Sequence, residues 1–162
     1  MEPLFSGSGL SAVDAAGRTR LPSFVREAAI GRSGRRRLVF GAHEKDRCIS
    51  GFDPAHASNL HVELERRRLV EEASGIGADA HHARARRLFG TAEEAEFDAD
   101  GMIRLPELPR RRGRISGLAL FVGTGGTFEI WDPETARESG GEDLRELAEF
   151  RLSEAKLEGG TS

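Results

Sequence analysis

At 162 residues and 17.6 kDa, 38% apolar and 31% charged, with 20 Gly and no Tyr, the chain suits one compact domain or two small, closely packed halves with much exposed edge and turn. No apolar run approaches the ~18–20 residues of a membrane span, the first residues lack the basic-then-apolar order of a signal peptide, and the single Cys48 excludes an internal disulfide, so the expectation is a soluble cytoplasmic protein. The net charge of −3 is uneven: residues 1–50 carry nine Lys/Arg against five Asp/Glu, residues 51–100 six against eleven, and residues 101–162 nine against eleven, so basic character that suits a phosphate partner is concentrated in the first third.

Phe5, Leu10 and Val13 in a Gly/Ser-interrupted stretch predict a first strand over 5–13. Asp14-Ala15-Ala16-Gly17 then has the composition of a type I turn. Aspartate stands first, where its carboxylate accepts a backbone N–H, and glycine fourth, where a positive φ is often needed. Residues 18–21 leave the turn as a strand whose two-residue period puts Arg18 and Arg20 on one face and Thr19 and Leu21 on the other. Pro22 ends the strand, and Ser23 is placed to cap a helix over 24–30 that Gly31 stops. Arg35-Arg36-Arg37 falls in the following loop, ahead of buried strands at 38–40 and 48–52. From residue 55 the period changes. Leu60, Val62, Leu64 and Leu69 among Glu and Arg predict an amphipathic helix to about residue 73, and Asp79 caps another through Leu88.

From Phe89 the chain starts again. Asp98, Gly101, Arg104, Leu105 and Pro106 each stand 84 residues after Asp14, Gly17, Arg20, Leu21 and Pro22, and a shared offset across five residue types marks an internal repeat. The turn 98–101 and the strand 102–105 return. Pro106 and Pro109 replace the first half's helix with something shorter or irregular. Arg110-Arg111-Arg112 echoes the earlier arginine loop, 118–122 and 128–133 echo the two strands, and Leu144, Leu147, Ala148, Leu152 and Ala155 mark a C-terminal helix after Gly140-Gly141. The organisation read from this is a first unit over 1–54, connecting helices over 55–88, a second unit over 89–133, and a C-terminal helix and tail over 134–162.

Catalysis has little support. His81 and His82 are adjacent and on a helix point about 100° apart, a poor metal pair. Cys48 reads as a buried strand residue, and Trp131 reads as core or interface. Gly123-Thr124-Gly125-Gly126 lacks the lysine and following helix of a phosphate loop and reads as a turn between strands. Arg66–Arg68, among Glu63, Glu65, Glu71 and Glu72, reads as a solvated helix face. No enzyme activity, metal, cofactor or small-molecule substrate is expected.

The two turn motifs, Arg87-Leu88-Phe89-Gly90 before the second and Phe128-Glu129-Ile130-Trp131-Asp132 after it, resemble the MraZ family of bacterial regulators over nearly the whole chain. The resemblance implies an α+β fold, similar to AbrB and MazE, with two swapped-hairpin units forming a double-split β-barrel flanked by helices. It also implies a nucleoid-associated, DNA-binding transcriptional regulator, a repressor in kind, assembled into homo-oligomeric rings on short direct repeats upstream of the division and cell-wall gene cluster. The family's Asp-x-x-x-Arg pattern is met by Asp14 and Arg18. In the second copy Asp98 is present but Met102 occupies the arginine position, with Arg104 two residues on along the same strand face.

An isolated Asp-x-x-Gly-Arg reads as a hairpin-stabilising pair; the duplication and the resemblance turn that reading towards DNA. The first-half hairpin is expected to be the main reader of DNA and the second half mainly to complete the barrel; Asp14, Gly17, Arg18, Arg20, Arg35, Arg36, Arg37 and Arg104 are the expected DNA-binding residues, with Asp98 and Gly101 forming the second turn. Asp14 is expected to close its turn and to hold the arginine by a charge-assisted bond. Two other readings stand beside this one: an AbrB-type antitoxin-like regulator, and a ring-forming scaffold with reduced DNA binding.

Overall fold

The computed structural model describes residues 2–159. Strand β1 (Ser8–Ala12) turns at Asp14 into β2 (Arg18–Arg20), and helix α1 (Ser23–Ser33) follows at once. β3 (Arg37–Ala42) and β4 (Ile49–Phe52) form a hairpin, and a single 3-10 turn, Pro54–His56, leads into α2 (Ala57–Ala73) and α3 (Asp79–Phe89). The second half supplies β5 (Glu93–Glu96), β6 (Met102–Arg104), the short α4 (Glu107–Arg112), β7 (Leu118–Gly123) and β8 (Phe128–Trp131). Two helices close the chain, α5 (Pro133–Ser139) and α6 (Gly141–Gly159).

Several local expectations are corrected. α1 does not stop at Gly31; it runs to Ser33 and ends at Gly34, whose φ of 70° lets its N–H reach the Ile30 carbonyl at 2.8 Å. Ser23 is its first residue rather than its cap, Pro22 holding the cap position with no side-chain bond. Asp79 likewise lies inside the first turn of α3, with Ala78 before it. Arg35 and Arg36 lie in a loop, whereas Arg110-Arg111-Arg112, which echoes them, lies in α4. Pro109 is tolerated there because it sits in the first turn, where its missing N–H would have no intrahelical acceptor. The C-terminal segment is two helices, since Gly140 and Gly141, the latter at φ 83°, break the run.

The sheets obey the repeat. One six-stranded antiparallel sheet runs β1-β7-β8-β4-β3-β5, and β2 pairs with β6 in a separate ribbon. Exchanging β1–β4 with β5–β8 reproduces both orders, so the halves are related by a pseudo-two-fold that passes between β4 and β8 and between β2 and β6. The first two strands of each half take their partners from the other half: β1 pairs β7, β5 pairs β3, and β2 pairs β6. The fold is therefore α+β with interleaved halves. The expected barrel is not closed by a continuous ladder, because β1 and β5 remain edges of the large sheet.

The main core lies on this axis. Phe5, Phe40, Phe121 and Phe128 are fully buried, with the Phe128 ring 5.0 Å from Phe5 and 6.1 Å from Phe40. Gly51 stands opposite Phe128 in the β4–β8 pair, and the ring occupies the space a Cβ would need. Leu21, Leu105 and Ile103 join the same cluster from the ribbon and its ends. Two smaller clusters lie to the sides, one around Leu120, Trp131 and Ala148 under α6, the other around Val39, Phe52, Leu64 and Leu88 under α2 and α3. Among the described residues no helix is long and apolar enough to cross a membrane.

Candidate nucleic-acid interface

The two turns of the repeat are built alike. Asp14 Oδ1 accepts the backbone N–H groups of Ala16 and Arg18, both at 2.9 Å, and Gly17 N–H bonds the Asp14 carbonyl at 3.0 Å. Asp98 Oδ1 accepts those of Asp100 at 3.0 Å and Met102 at 2.9 Å, and Gly101 N–H bonds the Asp98 carbonyl at 3.0 Å. Gly17 and Gly101 sit at φ 87° and 84°, a region where an L side chain is strained. One expectation changes here. Asp14 holds the backbone of Arg18 and makes no ion pair with its guanidinium. The carboxylate thus serves any residue at that position, and so the second turn survives with methionine at 102.

The structure brings the two copies together. β2 and β6 pair antiparallel with Arg18 opposite Arg104, Thr19 opposite Ile103 and Arg20 opposite Met102. Opposed residues in an antiparallel pair point to the same face. Thr19 and Ile103 therefore point inward together and are buried, while Arg18, Arg20 and Arg104 share the outer face with half-buried Met102. Arg104 Nε donates to the Ala16 carbonyl at 3.0 Å, tying the second-half arginine to the first-half turn. The ribbon is closed at both ends by reciprocal bonds, Leu21 N–H to the Gly101 carbonyl and Leu105 N–H to the Gly17 carbonyl, each 2.9 Å. Thr19 Oγ1 donates to the Ala12 carbonyl at 2.8 Å and Ser11 Oγ to the Arg20 carbonyl at 2.8 Å, fastening the ribbon to β1.

Its charge is uncompensated. Among the described residues no carboxylate lies within ion-pair distance of Arg18, Arg20 or Arg104. Like charges placed directly across an antiparallel pair are destabilising, so Arg18 opposite Arg104 is a poor structural choice and a good anion-facing one.

The arginine loop divides. Arg37 belongs to β3, faces Glu96 in the β3–β5 pair, and forms ion pairs with Glu94 at 3.1 Å and Glu96 at 2.5 Å, so its charge is engaged. Arg35 and Arg36 are exposed, and Arg36 borders a depression shared with Arg26, Asp98 and Ala99, beside the second turn. The helix-face reading of Arg66–Arg68 agrees with the structure: Arg66 meets Glu63, Arg68 meets Glu65 and Glu72, and Arg67 meets Glu44.

Two residues at the ribbon escaped the sequence reading. Arg110 lies over Gly17, and Arg26 over Gly101, each so close that a Cβ on the glycine would strike the arginine side chain. Each short helix thus packs its arginine on the turn of the other half. The signal was present, since Arg26 and Arg110 keep the same spacing of 84.

A second cluster also escaped it. The β3–β4 hairpin brings His43 beside Cys48, His43 N–H bonding the Cys48 carbonyl at 3.1 Å, and Glu129 on β8 completes a trio of donor atoms within 4.8 Å of one another. The donors are otherwise used. His43 Nδ1 accepts the N–H groups of Lys45 and Asp46 at 3.1 and 3.0 Å, which puts the ring proton on Nε2, 3.2 Å from Glu129 Oε2. That hydrogen bond raises the imidazole pKa against the opposing effect of burial. Burial works against the charged form of Glu129 too, but the bonds from His43 and Trp131 hold its carboxyl below the ordinary value. Burial pushes the Cys48 thiol up, so it is protonated at neutral pH. The trio fits a half-buried hydrogen-bonded pair beside a neutral thiol better than a metal centre.

No family model matches the chain. It is similar to curated proteins called transcriptional regulator MraZ. The one from Coxiella burnetii (strain RSA 493 / Nine Mile phase I) is 30% identical over 142 residues, 83% of this chain and 86% of that protein. The one from Parvibaculum lavamentivorans is 28% identical over 129 residues, covering 80% and 76%, and that from Saccharophagus degradans 28% over 132 residues, covering 81% and 84%.

Proposed function

Because the chain belongs to the MraZ family of transcriptional regulators, we propose that it regulates by gripping duplex DNA with the outer face of the β2–β6 ribbon. The observation that carries this is the Arg18–Arg104 rung, a like-charge pair with no carboxylate partner among the described residues, at the tip of a paired ribbon. A two-stranded ribbon fits the major groove, where arginine bonds guanine O6 and N7 with two donors. Arg18, Arg20 and Arg104 read bases, Arg35 and Arg36 contact flanking phosphate, and Arg37 stays with its glutamates. Asp14, Gly17, Asp98 and Gly101 shape the turns and touch no base.

Each bidentate arginine discriminates by only ~1–3 kcal/mol. One ribbon therefore binds modestly, and several copies in a homo-oligomeric ring would gain avidity from repeated boxes. The operator proposed is a set of short direct repeats upstream of the division and cell-wall gene cluster, bound by a cytoplasmic, nucleoid-associated repressor that needs no cofactor. The interleaving of β1 and β2 with β6 and β7 supports reading the halves as exchanged hairpins of a split barrel.

Titration of labelled DNA from upstream of the protein's own gene, at two salt concentrations, tests the proposal. The parent is expected to bind selectively, with affinity falling as salt rises, Arg18→Ala to lose about tenfold or more, and Arg37→Ala to change little. Equal binding by Arg18→Ala and the parent would sink it.

A further inference from the structure

We propose that Met102 is a base-reading residue in its own right, contacting the C5-methyl group of a thymine, so that the ribbon reads its DNA asymmetrically. The inference rests on the DNA reading of the same face. Register places Met102 directly opposite Arg20, on the outer face that holds Arg18 and Arg104. It is half-buried there, and it is not among the residues forming or packing against the three apolar clusters, so core packing gives no account of it.

The pseudo-two-fold relates position 18 to 102 and position 20 to 104. Three of these four sites carry arginine and one carries methionine. The Arg18–Arg104 rung presents two guanidinium groups to acceptor edges. The Arg20–Met102 rung presents one guanidinium and one flexible, polarisable thioether. In the major groove the apolar feature is the thymine methyl, which no guanidinium recognises well. An unbranched methionine can adapt its three torsions to lie against such a methyl. The turn before it needs no arginine, since Asp98 bonds the Met102 backbone at 2.9 Å, so the side chain is free to be chosen for what it faces.

The test starts from a random-sequence duplex library selected with the wild-type protein. The enriched duplex is resynthesised with deoxyuridine replacing thymine one position at a time, and affinities are measured for wild type, Met102→Ala and Met102→Leu. Deoxyuridine lacks only the C5-methyl. Wild type is expected to lose about fourfold at one thymine per bound ribbon, the worth of about one buried methyl. Met102→Leu should keep most of that loss and Met102→Ala none of it. Wild type indifferent to deoxyuridine at every position overturns the inference while leaving DNA reading intact. A loss as large in Met102→Ala as in wild type also overturns it. If no duplex is enriched, the DNA reading itself fails, and this inference with it.

Discussion

At the scale of single residues, an aspartate that bonds backbone rather than a neighbouring side chain makes a motif tolerant of its own variation. Asp14 and Asp98 do the same work although one precedes an arginine and the other a methionine. Asp14→Ala and Asp98→Ala should therefore cost similar stability, about 1 kcal/mol each, in urea unfolding. Asp14→Asn, which keeps an acceptor oxygen, should cost less. His56 gives a pH signature. Burial, then the guanidinium of Arg32, holds its pKa below 6.5, against weaker opposite pulls from Asp53 and Glu2. A depressed histidine takes up its proton first in the unfolded chain, so stability should fall as pH drops below about 6.5 and until the folded-state value is passed. His56→Gln should flatten that slope in denaturant titrations run across pH 5–7, the range in which an unperturbed histidine titrates at about 6.5.

At the scale of elements, β2 and β6 are only three residues each and hold together through their ends. Their outer face opposes stability for the sake of charge. Arg18→Gln should leave the melting midpoint unchanged or raise it, by a gain of up to about 1 kcal/mol, while weakening DNA binding. A fall in the midpoint would show that Arg18 is held for structure. The turn and the alternation of this ribbon were legible in the sequence, because Asx bonding spans four residues and a strand's faces alternate with a period of two. The ends of α1 were not. Gly31 lies within the helix against Pro3, and Gly34, free to adopt positive φ with open space around it, became the stop instead.

For the whole molecule, the interleaving of the halves decides what can fold. β1 and β2 find their partners in β7 and β6, so a fragment spanning residues 2–54 would leave two strands unpaired and Leu21 without Leu105 and Ile103 around it. That fragment is expected to lack a cooperative unfolding transition, and mixing it with a fragment of residues 89–159 should restore far-ultraviolet dichroism. A cooperatively folded 2–54 fragment would contradict the cross-paired topology. The two arginine triads also separate at this scale, Arg37 locking the β3–β5 edge and Arg110 covering the first turn.

By itself the sequence determined the duplication, the two Asp–Gly turns, the outward Arg18 and Arg20 with inward Thr19 and Leu21, the helical connectors, and the family. These rest on hydrogen bonds and periods that act within a few residues, or on whole-chain similarity. Only the tertiary structure decided that Arg104 stands against Arg18, that Met102 stands against Arg20, and that Arg26 and Arg110 cross to each other's turns. It alone also brought Glu129 to His43. Those pairings join residues more than seventy positions apart through short strands and helices, which carry no local record of their partners. Burying the phenylalanine core across the pseudo-two-fold selects them, and with them it merges two turn motifs into one basic face.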